Sequence, residues 1–142
     1  MTLLGEGPLR PALEQLAKLR GVADRVRVVG FQKNPYPFLA QADAFVLSSR
    51  YEGCRNVVLE ALACGTSVIA TPSPGDVADI AELAGGVLLA SAVDAKSLSV
   101  AIKRFIGGER RIGSITLTPF HVDKIVDQYQ KLLIDEALPE VA

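Results

Sequence analysis

Short, nearly continuous apolar runs alternate along this chain with stretches that carry a helical period. The runs are Val26-Arg27-Val28-Val29, Ala44-Phe45-Val46-Leu47, Ser67-Val68-Ile69-Ala70 and Gly86-Val87-Leu88-Leu89, with Leu3-Leu4 as the tail of a fifth. Each is bounded by Gly, Asp, Ser or Pro, which is how buried parallel strands read. Between them, residues 8–20 place Leu9, Ala12, Leu13, Leu16 and Ala17 on one face, and Gly21 is the stop. Residues 56–64 predict a second helix, with Asn56 as N-cap and Gly65 past its end. Residues 94–106 align Leu98, Ala101, Ile102, Phe105 and Ile106. Shorter helices fit residues 38–41 and 77–83. Thr118-Pro119 opens a last helix, with the proline at its first position and Val122, Ile125, Val126, Tyr129, Leu132 and Leu133 as its stripe. Strand–helix alternation of this kind predicts an α/β fold: a Rossmann-like parallel sheet flanked by helices.

At 142 residues, with 49% apolar and 22% charged side chains, the chain has the material for a real core and is not a disordered segment. We expect one domain: a Rossmann-like core over residues 1–106, a linker over 107–118 and a closing helix over 119–134. A net charge of −1 argues against a nucleic-acid-binding module. No apolar run approaches a membrane span, and the first residues do not read as a signal peptide. Two cysteines cannot form a disulfide scaffold or a four-ligand zinc site, so we expect a cytoplasmic setting and no metal.

Parallel sheets bind ligands beyond the carboxyl ends of their strands. The informative loop is therefore Ser48-Ser49-Arg50-Tyr51-Glu52-Gly53-Cys54-Arg55, leading into the helix at Asn56. From Val57 to Cys64 every side chain is Val, Leu, Ala or Cys except Glu60, so the helix is expected to be buried all round. A carboxylate there needs a partner. Glu60 stands one turn beyond Asn56 on the same side, and its two oxygens suit a vicinal diol such as a ribose. Free N–H groups around Arg55 to Val58, with the helix dipole, suit a phosphate. Gly53 permits close backbone approach, and Glu52 sits on the same turn. This set fits a nucleotide-sugar site. It fits equally a core carboxylate satisfied by an arginine or an amide, beside an ordinary loop charge.

The segment from Ser48 to Gly65 resembles the signature of glycosyltransferase family 4, a retaining family of the GT-B fold, in which a Glu, seven residues and a second Glu recur; here these are Glu52 and Glu60. Gly5-Glu6-Gly7-Pro8, Leu13-Glu14, Val29-Gly30-Phe31, Ala42-Asp43, Ala61-Leu62-Ala63-Cys64-Gly65, Pro74-Gly75 and the Phe120, Val126, Tyr129 set extend the likeness. The resemblance implies the C-terminal, nucleotide-sugar-binding half of that fold, incomplete here. It implies that Glu60 holds the ribose hydroxyls and Glu52 a hydroxyl of the donor sugar near the reacting centre, the catalytic position. Backbone around Gly53, Cys54, Arg55, Asn56 and Val57 would face the sugar and diphosphate, and Gly30 and Phe31 would border the base. The implied activity is transfer of a hexose-type sugar from a nucleotide diphosphate to a glycan, lipid or small molecule, with anomeric configuration retained.

The nucleotide sugar would be a substrate; no cofactor is expected. The protein would act by positioning and charge stabilisation. Cys54 and Arg55 depart from the family, which has an aromatic residue or Gly and then Pro. The family's first strand and helix, which bring an Arg and a Lys to the diphosphate, have no counterpart, and neither has the acceptor-binding domain. The chain alone is therefore expected to be poorly active or inactive, and to need an acceptor-binding domain or partner chain. Rival readings are an epimerase of the same fold, a non-catalytic nucleotide-sugar-binding module and a subunit of a split transferase. Of the remaining residues, Cys64 reads as helix filler and His121 as a surface or capping residue. Lys103, Arg104, Arg110 and Arg111 read as a solvated helix end, with peripheral membrane contact the most they would support.

Overall fold

The computed structural model describes residues 1–51, 56–109 and 115–136, the last five as backbone only. The chain divides into two compact units, Met1–Phe38 and Leu39–Ala142.

In the first unit, β1 (Thr2–Leu3) pairs in parallel with β2 (Arg27–Val28). They are joined through α1 (Arg10–Leu19) and a 3-10 turn at Ala23–Arg25. The helix starts two residues later than its periodicity suggests, at a point that puts Pro11 in the first turn, where its missing N–H costs nothing. Arg10 sits over the unit's strand ends. It donates to Glu6 Oε1 (2.8 Å), Glu14 Oε1 (3.1 Å) and the carbonyl of Val28 (3.4 Å). The stripe expected to face a core is largely open: Ala17 is buried, but Leu9 is 69% exposed, and Leu13 and Leu16 are exposed too.

α2 (Tyr36–Ala40) leads to the second unit, whose sheet is β3 (Phe45–Leu47), β4 (Val68–Ala70) and β5 (Val87–Leu89), parallel and in that order. Its crossovers are α3 (Asn56–Ala63) and α4 (Val77–Ala84), and α5 (Ala95–Ile106) follows β5. β4 is buried throughout, and its alternation divides the core in two. Val68 and Ala70 pack with Val58, Leu62, Val77, Ile80 and Ala84 of α3 and α4. Ile69 packs on the other face with Ala90 and with Ala101 and Phe105 of α5. Ile106, assigned to the α5 stripe from sequence, is instead 67% exposed at the helix end.

Of the stretch read as a linker, residues 110–114 lie outside the described residues. Ile115, Leu117 and Phe120 pack against the first of these clusters, and Thr116 N–H donates to Ala84 O at 2.8 Å. This docking changes the last helix. Thr118–Phe120 forms a 3-10 turn, with Phe120 N–H on Leu117 O (2.9 Å), and His121 is extended. α6 (Val122–Glu136) therefore begins after the proline turn, not at it. Its side chains at Val122, Ile125, Val126 and Tyr129 are exposed.

Candidate functional site at the strand ends

The carboxyl end of β3 is shaped by a buried threonine. Thr71, just past β4, donates its backbone N–H to Leu47 O (3.0 Å) and its hydroxyl to Ser49 O (2.6 Å). Burial leaves the Thr71 hydroxyl no water to bond, so the Ser48-Ser49 turn is fixed to the neighbouring strand. Beside it lies a cleft of about 210 Å³ lined by Ser48, Arg50, Thr71, Val93, Asp94, Ala95 and Leu98. Asp94 caps α5, accepting the Ser97 N–H at 2.8 Å and the Ser97 hydroxyl at 2.9 Å. The Ser97 amide, followed by its hydroxyl, holds the Asp94 carboxyl below its ordinary range. Sequence reasoning flagged Ser48 and the α5 stripe but not this cleft. Its only signal was an Asp three residues before a Ser at a helix start.

Glu52, Gly53, Cys54 and Arg55 lie outside the described residues. Asn56, the N-cap expected from sequence, is the first residue of the helix itself, and it is exposed. The helix is not buried on every side. Val58, Ala61 and Leu62 face the core, while Val57, Leu59, Glu60 and Cys64 are half-buried and Ala63 is exposed. At 100° per residue Glu60 points almost directly away from the Val58, Ala61 and Leu62 side. It is therefore not an acid sunk in apolar packing, which corrects the sequence expectation: the apolar residues of α3 outnumber what the core can cover. Among the described residues the Glu60 carboxylate makes no ion pair or hydrogen bond. Among the described residues no arginine neutralises it, one turn inside the helix.

Gly30 and Phe31 belong to the first unit, at the carboxyl end of β2. Gly30 has φ +77°, and its carbonyl accepts the Gly5 N–H at 2.8 Å, joining the two strand-end loops of that unit. Phe31 is 74% exposed, so most of its ring is open. Asn56, Val57 and Glu60 share one helix end, and Gly30 and Phe31 share one loop. His121 is exposed and Cys64 half-buried. Among the described residues no helix is long and apolar enough to cross a membrane, and no three of His, Cys, Asp and Glu gather as metal ligands.

Comparison with known proteins puts this geometry in context. Residues 1–107 match the model of the family described as glycosyl transferases group 1. The lipopolysaccharide core biosynthesis glycosyltransferase LpsE of Rhizobium meliloti is 36% identical over 92% of this chain, which corresponds to 40% of LpsE. N-acetyl-alpha-D-glucosaminyl L-malate synthase of Bacillus anthracis is 31% identical over 95% of the chain and 37% of that enzyme. The chain thus spans about two fifths of the length of these curated relatives. Among solved structures, the lipopolysaccharide outer core galactosyltransferase WaaB superposes with a TM-score of 0.79 at 20% identity, over 95% of this chain and 40% of that one. Anabaena Alr3699/HepE, solved in complex with UDP, gives 0.74 at 20% identity, over 96% of this chain and 40% of its own. The parallel sheets with flanking helices are accordingly part of a GT-B glycosyltransferase fold. The chain belongs to the glycosyl transferases group 1 family.

Proposed function

We propose that this chain is the donor-binding part of a retaining family 4 glycosyltransferase that transfers a hexose-type sugar from a nucleotide diphosphate. The observation that carries the reading is Glu60: a half-buried carboxylate without a protein partner among the described residues, one turn inside a helix mouth and turned away from the core. A diol gives both of its oxygens a donor, and the N–H groups at the start of α3 suit the attached diphosphate. In this proposal Glu52 takes a donor-sugar hydroxyl near the reacting centre. Backbone from Gly53 through Cys54, Arg55 and Asn56 to Val57 faces the sugar and diphosphate. Gly30 and the open ring of Phe31 border the base. HepE, a structural neighbour, was solved with UDP and with UDP-glucose, which supports a nucleotide sugar as the ligand.

Transfer itself is assigned to a larger assembly, with an acceptor-binding domain or a partner chain beside this one. A cytoplasmic location and the absence of a catalytic metal belong to the same proposal. The test is a binding titration of this chain with UDP-, GDP- and ADP-sugars, repeated with Glu60→Ala. Losing a charge-assisted hydrogen-bond pair should weaken the preferred ligand by about 1.5–3 kcal/mol. Unchanged affinity removes Glu60 from the site. Efficient sugar transfer by the isolated chain would overturn the assignment of transfer to a larger assembly.

A further inference from the structure

Thr71 is a polar residue where the core would favour an apolar one. It follows Val68, Ile69 and Ala70 of β4, all buried, and is itself only 3% exposed. Alternation puts it on the Ile69 side of the sheet, and Leu98 of α5, packed on that side, lines the same cleft. A valine has nearly the same shape and would bury no hydroxyl there. The hydroxyl is satisfied by the loop beyond β3: it donates to Ser49 O at 2.6 Å, with Leu47 O farther off at 3.5 Å. In the β3–β4 ladder Leu47 O accepts the Thr71 N–H, and the next carbonyl facing β4 is that of Ser49. The Thr71 side chain therefore reaches one ladder position past its own main chain, although β4 ends at Ala70 and Pro72 follows. Branching at Cβ leaves threonine few rotamers, so the hydroxyl has a fixed direction. The group it holds is the Ser49–Arg50 peptide. Because that peptide is planar and trans, a carbonyl aimed at Thr71 sends the Arg50 N–H the opposite way. Nothing among the described residues accepts from that N–H.

We propose that Thr71 is a positioning residue for the donor sugar, acting through the Ser49–Arg50 peptide. This rests on the reading of Glu60 as the ribose ligand, because that reading divides the ligand between two supports. The ribose end belongs to α3, whose Val58, Ala61 and Leu62 are locked into the core. The sugar end is assigned to residues that lead from Arg50 to that helix, and the last bond described before them is the one at Ser49 O. Releasing that bond shifts the sugar end of the site and leaves the ribose end in place. Ser48 and Arg50, on either side of the pinned carbonyl, line the cleft together with Thr71. A threonine that served the fold alone would act on both ends alike, since loss of a buried hydrogen bond lowers the population of the whole folded unit.

The experiment is a calorimetric titration of the whole chain, and of Thr71→Val and Thr71→Ser, with UDP, GDP and ADP and with UDP-, GDP- and ADP-glucose. The readout is the ratio of the affinities for the nucleotide sugar and the free nucleotide, in which losses common to both cancel. Thr71→Val should lower that ratio about tenfold while the free nucleotide binds as before. Thr71→Ala, a second variant without the hydroxyl, should act alike, and Thr71→Ser, which keeps it, should keep the ratio. The proposal is overturned if Thr71→Val lowers both affinities together and leaves the ratio unchanged, or if Thr71→Ser is as damaging as Thr71→Val. A ratio of one in the unaltered chain overturns it too. Glu60→Ala should weaken free nucleotide and nucleotide sugar equally. A failure of the Glu60 reading therefore shows in the free nucleotide, and a failure of the Thr71 proposal only in the ratio. Absence of all nucleotide binding would take down the Glu60 reading and this proposal with it.

Discussion

Gly65 and Gly86 have almost the same backbone, with φ of +76° and +73°, but different surroundings. A Cβ at Gly65 would meet nothing within 4 Å, whereas one at Gly86 would stand 2.7 Å from both Ile115 Cγ1 and Leu62 Cδ2. Gly65→Ala should therefore cost only left-handed strain, about 1–2 kcal/mol. Gly86→Ala should add overpacking of about 1–3 kcal/mol to the same strain. Urea unfolding of the two variants measures the difference, and equal losses would mean that Ile115 does not pack where the structure puts it. Gly65 was legible in the sequence as a helix stop. The crowding at Gly86 was not, because it comes from Leu62, 24 positions earlier, and Ile115, 29 positions later in the chain. Glu60 shows the same limit. Its presence among apolar residues was plain in the sequence, but the side of the helix it occupies depends on which of those residues the sheet covers.

Elements were legible in kind more readily than in extent. Four of the five strands lie inside the runs that announced them, shortened because the ladders close over only two or three residues each, while β1 begins one residue before the Leu3-Leu4 pair that announced it. The end of the chain was read less well. The proline at position 119 suits a helix start and a 3-10 turn equally, and the docking of Phe120 selects the turn. At the start of α5 the Asp94 cap, which the sequence analysis did not single out, carries a pH dependence. The Asp94 carboxyl is held below its ordinary range, so the cap contributes stability above the unfolded-state value. That contribution is lost as pH falls through the lower folded-state value. Thermal melts should show an acid loss that is shallower in Asp94→Asn, which still caps but does not titrate. Identical slopes would show that the carboxylate charge plays no part. On α3, Leu62→Ala should cost about 2–5 kcal/mol, because Leu62 is fully buried in the larger cluster, which also holds Val68 and Ile80. Chemical denaturation gives that value directly.

Across the molecule, buried apolar side chains are concentrated in the second unit. The residues described as core there come from every strand of its sheet and from four helices, whereas the first unit contributes Ala17. Amides of β1 and β2 should consequently exchange with solvent well before those of β4, which is buried along its whole length. Native-state hydrogen exchange ranks the two, and equal protection would contradict the described burial. The sequence anticipated the parallel architecture because each strand–helix unit has its own local signature. It could not anticipate this imbalance: the leucines of α1 have a helical period whether or not anything covers them.

The two sides of α3 separate two kinds of selection. Substitutions at Val58, Ala61 or Leu62 disturb folding, whereas Asn56, Glu60 and Ala63 lie around the far side of the same cylinder. A lineage, or a mutant library, can vary those three positions while the melting behaviour stays nearly constant. On the proposed reading, a change of donor specificity at this helix need not begin with a loss of stability.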